Sequence, residues 1–182
     1  MDPTTLIALL QEAVPGTKLQ SVPSVDLQAT IYATRDELPA IALALRERPV
    51  LRFDFLAELT AYDFWPREPR FEVVYILVSI EHRHRIRLKV RLHGEDAHVR
   101  TVSDIWPAAN WLEREVMDMF GIMFDGHPDP RRLLMPEDWE GFPLRKDYPV
   151  QIKLAVRTTE PLQVSEEELR ANLERDRLAR RQ

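Results

Sequence analysis

Apolar residues in the first third of the chain recur with two different periods, and each period predicts a different element. Alternation of apolar and polar residues over residues 27–33 predicts a half-buried strand. Helical spacing predicts a first helix over residues 4–14, capped by Thr4 or Thr5, and a second helix over residues 36–48. Proline follows both helices and ends them.

A continuous apolar segment at residues 71–80 predicts a buried strand, and residues 81–84 predict a hairpin turn. The next strand, residues 85–92, has its apolar residues on one face and its basic residues on the other. The basic residues are Arg85, Arg87, Lys89 and Arg91. Two strands joined by a short polar turn form an antiparallel pair. The basic face therefore either faces solvent or meets an acidic partner.

Three shorter patterns complete the prediction for the sheet. Residues 50–55 and 98–102 favour strands, and residues 56–64 favour a short helix or turn. Antiparallel strands with helices covering one face form a two-layer domain. We therefore predict an α+β fold with a mostly antiparallel sheet.

A third helix is predicted to begin near Ser103 and Asp104 and to end at Gly121, a residue type that commonly ends helices. Its apolar stripe comprises Leu112, Val116, Met119 and Phe120. Its charged residues, on the other side, are Glu113, Arg114, Glu115 and Asp118. They either form a solvated helix face or pair with charged groups elsewhere.

Residues 126–149 show neither a helical nor a strand period. They contain five prolines, two glycines, nine formal charges and three aromatic residues. Such aromatic content is unusual in a disordered tail, and proline lowers the entropy that is lost on ordering. Arginine together with tryptophan and tyrosine is typical of interface hot spots. The segment is therefore either an arm that clamps a partner or a loop packed on its own domain.

The predicted organisation is an α+β domain over residues 1–121, an extended partner-binding arm over residues 122–164 and a C-terminal helix or tail over residues 165–182. A capping box at Ser165 and Glu168 predicts the start of the last helix. The arm would anchor Trp139, Phe142 and Tyr148 in apolar grooves of its partner.

Composition narrows the classes of function. The 182 residues carry a net charge of -5, which does not favour nucleic-acid binding. The absence of cysteine excludes disulfides and thiolate-held zinc or iron–sulfur centres. The sequence contains no glycine-rich strand–turn–helix motif of the kind that binds nucleotides. The N-terminus lacks the features of a signal peptide, and the longest uncharged apolar run, residues 73–80, is too short to span a bilayer. We expect a soluble chain.

Residues 109–149 closely resemble the 30 kDa subunit of respiratory complex I, also called the C subunit of NADH-quinone oxidoreductase. The resemblance extends over about residues 50–150 and includes the block "PEDWEG.PLRKDYP", which begins at Pro136. The signature positions are Glu113, Arg114, Glu115, Asp118, His127, Arg131 and Arg132. One departure is Phe142, where the family commonly has histidine.

The resemblance implies a peripheral-arm subunit without its own cofactor, docked on the 49 kDa quinone-site subunit and near iron–sulfur subunits. In such a complex electrons pass from NADH through FMN and iron–sulfur clusters to quinone, and protons are translocated. It also implies a peripheral position on the cytoplasmic side of the membrane, or on the matrix side in mitochondria. No nucleic-acid partner is expected, as the net charge indicates.

No catalytic, cofactor-binding or metal-binding residue is expected in this chain, and the isolated chain is not expected to be catalytic. The residues expected at the partner interface are Arg85, Arg87, Lys89, Arg91, Glu113, Arg114, Glu115, Asp118, His127, Arg131, Arg132, Trp139, Phe142, Arg145, Lys146, Asp147 and Tyr148.

Two alternatives stay open. Similar subunits occur in membrane-bound hydrogenases and in deazaflavin- or ferredoxin-driven complexes, and the sequence does not identify the electron donor. The other alternative is a stand-alone hydrolase or metal enzyme that uses Glu113, Glu115, Asp118 and His127. Glu113 and Glu115 are two positions apart, which is about 200° around a helix, so they cannot hold one ligand together.

Overall fold

The computed structural model describes residues 2–26, 28–149 and 165–179, with side chains of the last segment described to residue 174. The chain divides into two compact units, Met1–Tyr148 and Pro149–Gln182. The first unit therefore extends beyond residue 121, where the sequence suggested a boundary. Residues 150–164 of the predicted arm lie outside the described part.

The first unit is built on a five-stranded sheet of order β1-β2-β5-β4-β3. Its strands are β1 Gln20–Val22, β2 Ala29–Ala33, β3 Phe55–Asp63, β4 Phe71–Ser79 and β5 His84–Leu92. All neighbouring pairs are antiparallel except β2 and β5, which are parallel. A separate parallel pair joins β6 His98–Arg100 to β7 Met123–Asp125. The predicted α+β fold with a mostly antiparallel sheet is confirmed.

The predicted antiparallel hairpin of β4 and β5 is present, and it lies at the centre of the sheet. Val73 pairs with Val90, and Leu77 with Ile86, and all four side chains are buried. The basic residues of β5 alternate with its buried ones. The period-two pattern therefore placed both faces of this strand correctly.

Two helices supply apolar residues to the core beneath the sheet. They are α1 Pro3–Ala13 and α2 Leu38–Glu47, and their Leu10 and Leu45 belong to the same core cluster as Leu88. The prediction that Thr4 or Thr5 caps α1 is wrong. Pro3 occupies the first helical turn, so the carboxylate of Asp2 is the cap and accepts the backbone N–H groups of both threonines.

The predictions for residues 50–64 are wrong. Residues 50–54 form a turn and loop, and the segment predicted as a short helix or turn is most of the edge strand β3. A register shift between Leu56 and Glu58 places Leu56 and Leu59 on the buried side three positions apart. This spacing imitates a helical period, and only pairing with β4 makes it a strand.

Helix α3 spans Ala109–Phe120, so it begins later than the sequence indicated. Residues 102–108 form turns, in which the N–H groups of Ile105 and Trp106 donate to the carbonyl of Val102. The predicted end is confirmed, because Gly121 adopts a φ of 70° and its N–H donates to the carbonyl of Met117.

Residues 126–148 contain no helix or strand and belong to the first unit. In the second unit, α4 spans Glu166–Ala179, and the predicted capping box between Ser165 and Glu168 is present. Within the described residues, no helix has the length and apolar character needed to cross a bilayer.

Candidate functional site

The charged side of α3 is largely buried. The exposed fractions of Glu113, Arg114 and Asp118 are 0%, 9% and 1%, whereas Glu115 is exposed. A solvated face is therefore wrong for three of the four residues. Buried charges require partners, and residues 126–148 provide most of them.

Asp118 binds the arm most closely. Its Oδ2 atom accepts the backbone N–H groups of Leu133, Leu134 and Met135 at 3.0, 2.7 and 2.8 Å. Its Oδ1 atom lies 2.7 Å from a guanidinium nitrogen of Arg132. Burial opposes ionisation of Asp118, but the N–H donors and Arg132 outweigh it and lower the pKa of this carboxyl. The arrangement converts three successive backbone donors into a binding site for one side chain.

Arg114 holds the preceding part of the arm. Its guanidinium donates to the carbonyls of Arg131 and Arg132, each at 3.0 Å, and lies 3.4 Å from the carboxylate of Asp129. The ion pairs of Arg114 with Asp129 and of Asp118 with Arg132 show that two of the charged residues on α3 pair with charged groups of the arm. Arg132 forms its ion pair with Asp118, whereas the neighbouring Arg131 binds Asp129.

Glu113 and His127 form a buried polar pair at the start of the arm. Glu113 accepts from the hydroxyl of Thr101 at 2.5 Å and from the N–H of Val102 at 2.8 Å. His127 Nε2 lies 3.0 Å from the carbonyl of Asn110 and 3.8 Å from the Glu113 carboxylate. Burial outweighs these hydrogen bonds and raises the pKa of Glu113 to about 7.

A guanidinium–aromatic contact closes the C-terminal end of α3. Arg145 donates to the carbonyl of Phe120 at 2.5 Å, and its guanidinium lies 4.5 Å from the ring centre of Phe142. Arg132 also lies over this ring, at 5.6 Å. A Cβ atom on Gly121 would lie 2.5 Å from both Phe142 and Arg145. Glycine is therefore required by this contact as well as by its backbone conformation.

The end of the arm is attached to the sheet. The buried carboxylate of Asp63 accepts the N–H of Lys146 at 2.9 Å and pairs with Arg70 at 2.9 Å. Arg70 also binds Asp147 at 2.6 Å. Sequence reasoning did not find Asp63 or Arg70, because residues 56–64 were predicted as a helix or turn and no motif marks either residue.

The three aromatic residues of the arm pack within the chain. Trp139 stacks on Tyr148 with ring centres 6.5 Å apart, and both are half-buried, as is Phe142. The indole N–H of Trp139 is buried and has no hydrogen-bond partner among the described residues. The large arm residues that stay exposed are instead Leu134 and Leu144.

The basic residues of β5 also have partners within the chain. Arg87 binds Asp26 at 2.7 Å, and Lys89 and Arg91 lie 2.7 and 3.5 Å from the buried carboxylate of Glu72. Arg85 is exposed. Three of the four residues therefore contribute to the sheet surface of this chain.

The described residues contain no group of three or more histidine, aspartate or glutamate side chains placed to hold a metal ion. Glu113 and Asp118 are each occupied by other hydrogen bonds, and Glu115 faces solvent. Of the four residues considered for a stand-alone hydrolase or metal enzyme, Glu113 and His127 lie together, while Asp118 binds residues 132–135 and Glu115 faces solvent. The chemistry of the site is attachment of the arm to α3.

Known proteins resemble this chain in both sequence and fold. Residues 31–153 match the family model of the 30 Kd subunit of respiratory-chain NADH dehydrogenase. The C subunit of NADH-quinone oxidoreductase from Roseiflexus castenholzii is 46% identical over 150 residues, which cover 82% of this chain and 86% of that protein. The corresponding protein of Chlorobium phaeobacteroides, which has the same name, is 49% identical over 117 residues, 64% of this chain and 70% of that protein.

Two solved structures are also similar. A trypsin-resistant fragment of Nqo5 is 34% identical with a TM-score of 0.55, and the match covers 68% of this chain and 98% of the fragment. A chain of an archaeal membrane-bound sulfane sulfur reductase, a respiratory membrane complex, is 26% identical with a TM-score of 0.67 over 81% of this chain and 85% of that one. The match to the family model and the identity to the Roseiflexus protein over most of both chains show that this chain belongs to the family of the 30 kDa subunit of respiratory-chain NADH dehydrogenase.

Proposed function

We propose that this chain is a scaffold subunit in the peripheral arm of a proton-translocating NADH-quinone oxidoreductase. It docks on the 49 kDa quinone-site subunit and neighbouring iron–sulfur subunits, on the cytoplasmic side of the membrane or the matrix side in mitochondria. Electrons pass from NADH through FMN and iron–sulfur clusters to quinone in those other chains. Family membership supports the complex, and the way α3 holds the arm supports the scaffold role.

The main observation in support of the scaffold role is that buried charged side chains of α3 bind the backbone of the arm. Asp118 and Arg114 are directed at backbone groups of residues 131–135. An extended segment has few backbone partners of its own, so these side chains supply them. The resulting rigid arm loses less entropy when a partner binds.

The anchors that we propose now differ in part from those suggested by the sequence. Leu134 and Leu144 are 60% and 54% exposed, although their backbone N–H groups are bound to α3. The half-buried rings of Trp139 and Tyr148 support the shape of the arm from within. The partner would therefore contact the side chains of Leu134 and Leu144, which the rings of Trp139 and Tyr148 support.

A second candidate is the equivalent subunit of a related respiratory complex with another electron donor or acceptor. The similarity to a chain of the membrane-bound sulfane sulfur reductase favours it. The scaffold role is the same in both cases, and only the redox partners in other chains differ.

The test is purification of the complex from cells in which a tagged copy replaces this chain. Quinone-site and iron–sulfur subunits should co-purify, with NADH-quinone oxidoreductase activity in the same fraction. Co-purification with a hydrogenase or a sulfur reductase would select the second candidate. A chain that purifies alone would contradict both.

The variants Asp118→Ala and Glu115→Ala then test the scaffold role, because both change an acidic residue of α3 but only Asp118 is buried against the arm. Asp118→Ala should reduce the amount of assembled complex while the activity per assembled complex is unchanged. Glu115→Ala should leave the arm and the fold of the isolated chain unchanged, because Glu115 is exposed, so any loss of assembly in that variant would assign Glu115 to the partner interface. A variant that assembles fully but shifts the quinone KM would contradict a role limited to scaffolding.

A further inference from the structure

Three aromatic side chains at the end of β3 and in the following turn are exposed in this chain. Tyr62, Phe64 and Trp65 have exposed fractions of 50%, 40% and 48%. The ring centres of Tyr62 and Phe64 are 6.3 Å apart. We call these three residues the aromatic corner. Aromatic residues with polar neighbours are enriched in the energetic centres of protein interfaces.

The backbone of the aromatic corner is fixed by hydrogen bonds. The N–H of Phe64 donates to the carbonyl of Arg70 at 2.8 Å, and the N–H of Trp65 donates to the carboxylate of Asp63 at 2.9 Å. Asp63 is itself held by Arg70. The rings are therefore presented from a rigid support, so a partner would lose little entropy in ordering them.

Cations adjoin the aromatic corner on the basic face of β5. The ammonium group of Lys89 lies 5.7 Å from the ring centre of Tyr62 and 5.6 Å from that of Tyr32. The guanidinium of Arg91 lies 4.1 Å from the ring of Tyr32. Within the described residues, Lys89 and Arg91 share one carboxylate, that of Glu72. Lys89, Arg91 and Glu72 together thus leave one positive charge unmatched beside Tyr62 and Tyr32, in a chain whose net charge is -5.

The same corner is continuous with the arm. The carboxylate of Asp63 accepts the N–H of Lys146 as well as that of Trp65, each at 2.9 Å. Arg70 bridges from Asp63 to Asp147 of the arm. The aromatic corner and the end of the arm therefore meet at one carboxylate.

We propose that the aromatic corner, with Lys89 and Arg91, is a docking surface for a partner protein that presents carboxylates beside an apolar groove. This inference rests on the proposed scaffold function and extends its interface from the arm onto the sheet. The rings of the aromatic corner would fill the partner's groove. Lys89 and Arg91 would meet the partner's carboxylates, because Glu72 balances only one of their two positive charges. Because the aromatic corner adjoins the end of the arm, we expect it to bind the same partner protein as the arm.

The experiment is hydroxyl-radical labelling of the isolated full chain and of the detergent-solubilised assembled complex. Tyr62, Phe64 and Trp65 should be labelled in the isolated chain and strongly protected in the complex. Ile80, which is also exposed, lies in the hairpin turn outside this corner and serves as an internal reference. Labelling of the corner in the complex at the rate of the isolated chain would overturn the proposal.

A matched pair of variants gives a second readout. Phe64→Ala should release this chain from the complex at lower salt and weaken its rebinding about tenfold or more, as expected for an interface hot spot. Phe55→Ala removes the same side chain from the other end of β3, where Phe55 is 50% exposed, and should leave rebinding unchanged. Equal effects of the two variants, or an effect of Phe55→Ala alone, would refute the surface.

The experiments distinguish a failure of the docking surface from a failure of the proposed scaffold function. Failure of the chain to co-purify with any respiratory complex removes the scaffold function, whereas co-purification with an unprotected corner removes only the docking surface. Vesicles containing phosphatidylglycerol provide the remaining comparison. Protection on vesicles without protection in the solubilised complex would assign the corner to a membrane and overturn the protein partner.

Discussion

The carboxylate of Asp118 lies 2.7 Å from the guanidinium of Arg132 while it also accepts three successive backbone N–H groups of the arm. One buried side chain of α3 thus determines the path of residues 132–135. A buried carboxylate with this many donors stays ionised.

Replacing Asp118 by alanine should loosen residues 132–135 of the arm. The variant removes the acceptor of all four donors, which should lower the free energy of opening of this segment by on the order of 3 kcal/mol. Hydrogen exchange of the Leu133–Met135 amides in the isolated chain should be slow in the wild type and fast in Asp118→Ala. The Glu115→Ala variant is the control. Equal exchange in the wild type and in Asp118→Ala would contradict the assigned contact.

Glu113 should make stability depend on pH near neutrality. Its pKa in the folded chain is raised from 4.5 to about 7, so its contribution is present below pH 4.5 and is lost as pH rises through 7. The loss should be on the order of 3 kcal/mol. Urea unfolding of Glu113→Gln and the wild type from pH 5 to pH 8 measures the difference. The wild type should lose stability relative to the variant over this range.

The aspartates affect stability outside the range of pH 5 to pH 8 and with the opposite dependence on pH. Asp118 and Asp129 have lowered pKa values, to about 2 for Asp129, so their contribution is lost only as pH falls below the usual aspartate range. A stability difference between Glu113→Gln and the wild type that stays constant from pH 5 to pH 8 would contradict the raised pKa of Glu113.

Gly121→Ala should be more destabilising than a conformational effect alone. A Cβ at a φ of 70° costs roughly 1–2 kcal/mol, and contact with Phe142 and Arg145 adds about 1–3 kcal/mol of overpacking. Gly16→Ala is the matched control, since Gly16 has a φ of 87° and no atom within 4 Å of the added Cβ. Thermal unfolding of the two variants should separate the contributions. Equal losses would show that the contact with Phe142 is unimportant.

Charge reversal on β5 should have different effects at neighbouring positions. Arg87→Glu breaks the pair with Asp26 and the hydrogen bond to Gln28, so it should lower the stability of the isolated chain. Arg85 is exposed, and Arg85→Glu should leave the stability unchanged. Assembly tests with Arg85→Glu therefore report on a partner without interference from folding. A large loss of stability in Arg85→Glu would invalidate that use.

Local patterns in the sequence were sufficient for the central hairpin, for the end of α3 at Gly121 and for the capping box of α4. Each depends on residues that are neighbours in the chain, such as the alternation along β5 or Ser165 with Glu168. The family resemblance likewise drew attention to Glu113, Arg114, Asp118 and His127. Their positions were predictable, but their burial and the backbone groups that they bind were not.

Only the tertiary structure decided what those residues bind and which segments are strands. The spacing of Leu56 and Leu59 agrees with a helix, and pairing with β4 across a register shift makes the segment a strand. Asp118 finds backbone groups up to 17 residues away, and Asp63 finds Lys146 at a separation of 83 residues. A sequence pattern reports local periods, whereas the burial of a charge depends on chain segments that meet only when the domain folds.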